Sequence, residues 1–150
     1  MTMMEMVDDN EIISTRELDA SQELVFKAWT APELLAQWWG PAGFTNTFHE
    51  FDLRPGGNWR FVMHGPNGVD FPNHNVFAEI VPRERIVLDH LSNPEFRVTA
   101  TFEDLEGRTR LTFRQRFKNI KEFEKIKTYC AEANEQNFDR LGIVLAGMTE

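Results

Sequence analysis

The chain has 150 residues, a net charge of −8 and a single cysteine, Cys130. That length fits one domain with a sizeable core, and the acidic balance argues against nonspecific binding to nucleic acid or anionic lipid. The lone cysteine rules out an internal disulfide framework and fits a reducing compartment. No apolar run reaches membrane-span length and the N-terminus carries no basic-then-apolar signal, so the expectation is a cytoplasmic domain that engages no membrane.

Residues 1–10 mix methionines with acids, show no periodicity and read as a flexible tail, leaving 11–150 as the domain. Glu11 to Asp19 reads as a first strand. Leu24, Val25, Ala28 and Trp29 then recur at helical spacing, with Asp19 or Ser21 near the cap. Pro32 suits the first turn of a second short helix carrying Leu34, Leu35, Trp38 and Trp39, and Gly40-Pro41 ends it. From Thr45 the period changes to two. Strands are expected over Thr45–Leu53, Gly57–His64, Asn75–Val81, Arg85–Leu91, Glu95–Leu105 and Arg108–Phe117, separated by glycine- and proline-rich turns. Connections this short imply an antiparallel meander. A proline-free segment from Lys121 to Ala146 follows, with a stripe of Phe123, Ile126, Cys130, Ala133, Asn137, Leu141 and Val144 in steps of three and four.

Strand alternation assigns the faces. Trp59, Phe61 and Met63 share one side of their strand. Phe96, Val98, Ala100 and Phe102 do so on another, and Leu111, Phe113, Gln115 and Phe117 on a third. Arginines and threonines occupy the opposite side. An α+β fold follows, with an aromatic concave sheet face covered by one long amphipathic helix, and a gap between them is a candidate pocket.

The motifs Trp38-Trp39-Gly40-Pro41 and Leu53-Arg54-Pro55-Gly56-Gly57, with "PRERIVLDH", "VTATFEDLEGRTRLTFRQRF" and "NFDRLGIVLA", extend over roughly Glu11 to Ala146. With these the chain resembles the activator-of-heat-shock-ATPase-like branch of the SRPBCC superfamily, related to START and Bet v 1 proteins. The resemblance implies a helix-grip fold: a curved seven-stranded antiparallel sheet around a long C-terminal helix, with two short helices after the first strand and a hydrophobic cavity inside. The chain departs from the branch at Ser21, where proline is common, at Ala31, where an acid is, and at Ala133-Asn134, where a larger residue is usual. The separate client-binding domain of the co-chaperone has no counterpart here.

Candidate cavity-lining residues are Trp38, Trp39 and Phe44 after the second helix, and Trp59, Phe61, Met63 and Phe77 on the first half of the meander. His90, Phe102, Phe113, Gln115 and Phe117 follow on the second half, and Cys130 on the final helix. The tryptophan pair serves core packing, a ligand wall, or both. His90 shares the inward face with Ile86 and Leu88; with Gln115 and either Asn75 or Glu79 it could orient a polar ligand group, although a hydrogen-bonded core role is the plainer reading. Cys130 has no assignable histidine-acid partner and reads as packing. The four histidines and their neighbouring acids show no metal-ligand spacing, so neither metal nor cofactor is expected. Arg97, Arg110, Arg114 and Arg116 read as a solvated face without the aromatic interleaving of a nucleic-acid site.

The leading expectation is a protein that binds an apolar, aromatic or polyketide-like small molecule. The alternatives are a cyclase- or hydrolase-type enzyme using an inward group such as His90, and a co-chaperone-like interaction module. A chaperone, or a second copy of the chain in a homodimer, is the corresponding protein partner.

Overall fold

The computed structural model describes residues 10–148, so the tail expected over 1–10 lies, Asn10 apart, outside the described residues. The elements are β1 (Glu11–Leu18), α1 (Gln22–Thr30), α2 (Pro32–Trp38), β2 (Thr45–Phe51), β3 (Asn58–His64), β4 (Asp70–Val81), β5 (Arg85–His90), β6 (Phe96–Asp104), β7 (Thr109–Phe117) and α3 (Ile120–Ala146). The strands form one antiparallel sheet in the order β1-β7-β6-β5-β4-β3-β2. The expected helix-grip architecture is therefore present. Among the described residues no helix is long and apolar enough to cross a membrane.

Local chemistry accounts for the helix ends. Ser21, not Asp19, caps α1, its hydroxyl accepting from the Leu24 amide at 3.3 Å. Ala31 gives α2 no side-chain cap, and Pro32 at the first helical position starts that helix instead. Asn119 caps α3 through the Glu122 amide.

The sheet faces follow the alternation. Trp59, Phe61, Val98, Ala100, Phe102, Leu111 and Phe113 are buried on the concave side. The convex arginines pair with neighbouring acids: Arg97 holds Asp89 by two bonds of 2.7 and 3.0 Å, Arg110 reaches Glu103 at 2.8 Å, and Arg114 pairs with Glu11. The Arg97 and Arg110 pairs are exposed and contribute little each, whereas the Glu11 side chain is only 8% exposed; together the pairs hold the strands in register.

Two readings of β4 change. The strand begins at Asp70 rather than Asn75, because residues 70–73 pair with β3 alone and project beyond β5. Pro72, without an amide hydrogen, is tolerated on that one-sided stretch. Farther along, the β4–β5 register shifts between Phe77 and Glu79. This bulge reverses the alternation, so Asn75 points inward and Glu79 outward, where it pairs with Arg85 at 2.9 Å.

The Leu53–Gly57 turn is fastened to β4 beside the bulge. The Gly56 amide donates to the Phe77 carbonyl at 2.7 Å, and the Phe77 amide donates to Gly57 at 3.0 Å. A Cβ at Gly57 would lie 2.0 Å from the Asp52 carbonyl oxygen, a backbone atom with no room to yield. Gly57→Ala should therefore cost about 1–3 kcal/mol, read as a lower midpoint in chemical denaturation. A midpoint equal to that of the unsubstituted protein would mean the turn carries no such constraint.

An α-helix of 27 residues is about 40 Å long, and α3 touches the rest of the molecule unevenly. Its closest backbone approaches are to β1, α1 and α2. Phe138, Leu141 and Leu145 bury its C-terminal half there, while Phe123 pins the other end against Phe117, ring centroids 5.3 Å apart. Between these anchors Ile126, Cys130 and Ala133 border open space under the helix, while Asn134 reaches the sheet through Gln115 and Ser14.

Candidate functional site: a cavity between sheet and helix

The space under α3 is a cavity of about 460 Å³, within the range that small-molecule sites occupy. Trp39, Met63 and Phe113 give it apolar walls, with Ile126, Cys130 and Ala133 of α3 as the roof. Phe44, Phe71 and Tyr129 border it as well, Phe71 and Tyr129 largely exposed at its mouth.

The two tryptophans divide their work. Trp38 is buried, its indole NH donating to the Ala28 carbonyl at 3.0 Å, and its ring meets Trp29 at 5.0 Å. Trp39, the C-cap of α2, turns its ring onto Trp59 at 5.0 Å and borders the cavity with another edge. Gly40 follows with φ +106°, a conformation that favours glycine. Its amide donates to Asn137 Oδ1 at 2.6 Å, and Arg140 donates to the carbonyls of Gln37, Gly40 and Pro41 at 2.8–3.0 Å. The Trp-Trp-Gly-Pro motif thus ties the cavity wall to α3.

Among the described residues, four buried polar side chains border the cavity, held in two pairs. His90 Nδ1 lies 2.7 Å from Asn75 Oδ1, and the imidazole stacks on Phe96 with centroids 4.4 Å apart. The Asn134 amide donates to Gln115 Oε1 at 3.1 Å and to Ser14 Oγ at 3.4 Å. Burial holds the His90 pKa down at about 4; the charge of Glu95 works against the shift and that of His74 with it. His90 is therefore neutral near pH 7. The carboxamide oxygen of Asn75 faces Nδ1, so Nδ1 carries the proton and Nε2 is the acceptor. Burial likewise pushes the Cys130 thiol up, which disfavours the thiolate needed for nucleophilic chemistry.

Seven of the thirteen sequence candidates meet at this cavity: Trp39, Phe44, Met63, His90, Phe113, Gln115 and Cys130. Trp38, Trp59, Phe61, Phe77, Phe102 and Phe117 do not border it. They pack behind its walls, where Trp59 stacks on Phe61 at 4.7 Å and Phe102 meets Trp29 at 5.7 Å. Alternation identifies an inward residue but cannot say whether it meets another side chain or a void. Asn134, Phe71 and Tyr129 are cavity residues that patterning did not select. The small Ala133-Asn134 pair was the available signal, since a larger side chain there would fill the space.

Fold and cavity together define a helix-grip domain with a pocket that opens to solvent under α3. The chain belongs to the family described as Activator of Hsp90 ATPase homolog 1-like protein, whose model matches residues 19–146. Members of this SRPBCC-type family bind hydrophobic ligands or act as co-chaperone-like modules. No curated protein matches the chain. Among solved structures it is similar to a protein from Nitrosomonas europaea, 24% identical with a TM-score of 0.86 over 93% of this chain and 97% of that one. It is also similar to one from Chromobacterium violaceum, 27% identical with a TM-score of 0.81 over 90% and 96%. A third, from Arthrobacter aurescens, is 23% identical with a TM-score of 0.87 over 96% and 91%.

Proposed function

We propose that this domain is a small-molecule binding protein that encloses one apolar or aromatic compound between the sheet and α3 and leaves it chemically unchanged. The observation that carries this reading is the 460 Å³ chamber itself, apolar-walled with a few buried polar groups at its edge, the usual composition of a ligand site. A binder is favoured over an enzyme because, among the described residues, the neutral His90 has no second titratable group bonded to it, whereas acid–base chemistry normally needs a positioned partner.

Trp39 provides the test, since its indole borders the chamber while Trp29, Trp38 and Trp59 are packed in the core. Flat aromatic or polyketide-like compounds should quench tryptophan emission saturably, and Trp39→Phe should abolish most of that quenching. Phe113→Ala should change the affinity more than Arg114→Ala, whose side chain points to the convex face and pairs with Glu11. Chemical turnover of the compound that disappears in His90→Ala would replace this reading with the enzyme one. No saturable quenching across a broad compound library would leave the protein-interaction reading in its place.

A further inference from the structure

The register places the two polar pairs at separate stations. Asn75 lies opposite His90 and His90 opposite Phe96, making one inward row across β4, β5 and β6. Leu88, Val98 and Gln115 make the next row, so Gln115 stands two strands from His90 and one row along. Two strand spacings are about 10 Å. Phe96, on the strand between the stations, borders the cavity beside His90, and Phe113 borders it one row beyond Gln115.

Each station has unused hydrogen-bonding capacity. At the first, Nδ1 of His90 is committed to Asn75, which leaves Nε2 as an acceptor and the Asn75 amide nitrogen as a donor. A hydroxyl group, with one proton to give and lone pairs to receive, answers both. An ether or a ketone answers only the donor. At the second station Asn134 donates to Gln115, leaving the Gln115 amide nitrogen as a donor and the Asn134 carbonyl oxygen as an acceptor. None of these four atoms has a partner among the described residues.

Charge narrows the choice further. Of the described residues bordering the cavity, Asp70 alone is charged, and it sits exposed at the mouth, 2.8 Å from His64. None of them is a lysine or an arginine. A carboxylate or phosphate inside would lose its hydration without meeting a counter-charge, which is costly.

We propose that the cavity recognises an uncharged, flat compound of two or three fused rings, with a hydroxyl at one end donating to His90 Nε2 and a carbonyl or second hydroxyl at the other meeting Gln115 and Asn134. This rests on the reading of the chamber as a small-molecule site. It goes further by assigning the hydroxyl as the specificity determinant and His90, oriented by Asn75, as the residue that reads it.

Four probes at pH 7 test it by calorimetry: naphthalene, 2-naphthol, 2-methoxynaphthalene and 2-naphthoate. One neutral hydrogen bond corresponds to about a three- to tenfold gain in affinity, so 2-naphthol should bind that much more tightly than naphthalene or 2-methoxynaphthalene, with 2-naphthoate weakest. In His90→Phe the 2-naphthol advantage should vanish while naphthalene still binds. Should that variant fail to fold, the comparison on the unsubstituted protein decides alone. Equal affinities for the three uncharged probes would overturn the hydroxyl assignment and leave the small-molecule reading standing. Tightest binding of 2-naphthoate would overturn it too, by revealing an anion site. No binding of any of the four would overturn the fused-ring assignment, while the small-molecule reading would fall only if the broad library also failed to quench tryptophan emission.

Discussion

Leu141→Ala should destabilise the domain by about 2–5 kcal/mol, the range for truncating a fully enclosed leucine. Leu141 has no exposed surface and lies in the half of α3 that contacts β1, α1 and α2. Phe138 and Leu145 flank it on the same face, equally enclosed by core residues. Truncation would leave a void that this tightly held half of the helix cannot close. Ile126→Ala is the matching control. Ile126 sits on the same helix but borders the chamber, so its truncation enlarges an existing space and should cost clearly less. Urea denaturation with an unchanged slope and a midpoint lowered far more for Leu141 than for Ile126 is the expected result. Equal shifts for the two would mean that the helix is gripped evenly along its length and that no chamber lies under its N-terminal half.

That contrast also shows what the sequence could and could not convey. The three-four stripe on the last helix identified Phe123 and Leu141 correctly as buried, and Ile126, Cys130, Ala133 and Asn137 as inward-facing. The latter four are only half-buried because what they face is the chamber. Asn134, Phe138 and Leu145 form an adjacent line at the same spacing, and a helix face wide enough for both lines cannot be narrowed by periodicity alone. Strand faces were legible for the opposite reason: a period of two allows two assignments, and aromatic residues distinguished them on β3, β6 and β7. The assignment failed where a bulge reset the phase, between Phe77 and Glu79, and where a proline on a one-sided strand end masked residues 70–73. Those residues include Phe71 at the mouth of the cavity. The polar pairs were half visible. His90 and Gln115 alternate inward, and Asn75 was one of two residues read as acting with His90, but the choice of Asn75 over Glu79 and the pairing of Asn134 with Gln115 depend on a bulge and on a juxtaposition between sheet and helix, which no local pattern encodes.

The buried histidine should make stability depend on pH in a defined window. In the folded protein His90 has a pKa of about 4, against an ordinary value of 6.5. The cause is burial among Asn75, Phe96 and the surrounding core, reinforced by the charge of His74 and partly offset by that of Glu95. When the pH falls below 6.5 the unfolded chain takes up a proton at this position, whereas the folded chain does not until about pH 4. Over that interval the unfolded state binds more protons, so stability must fall as the pH falls. The contribution is fully present above 6.5 and lost below the folded value. A displacement of this size corresponds to about 3 kcal/mol, a large share of the stability of an ordinary domain. Acidic residues elsewhere also titrate toward the low end of the window, so the informative quantity is a difference. The loss in stability between pH 7 and pH 4 should be smaller by about 3 kcal/mol in His90→Gln than in the unsubstituted protein, because glutamine keeps a polar group near Asn75 and removes the titration. Urea denaturation at several pH values measures it directly. Parallel pH profiles for the two proteins would show that His90 takes up its proton equally in both states, and the residue bordering the cavity would then not be held neutral by burial.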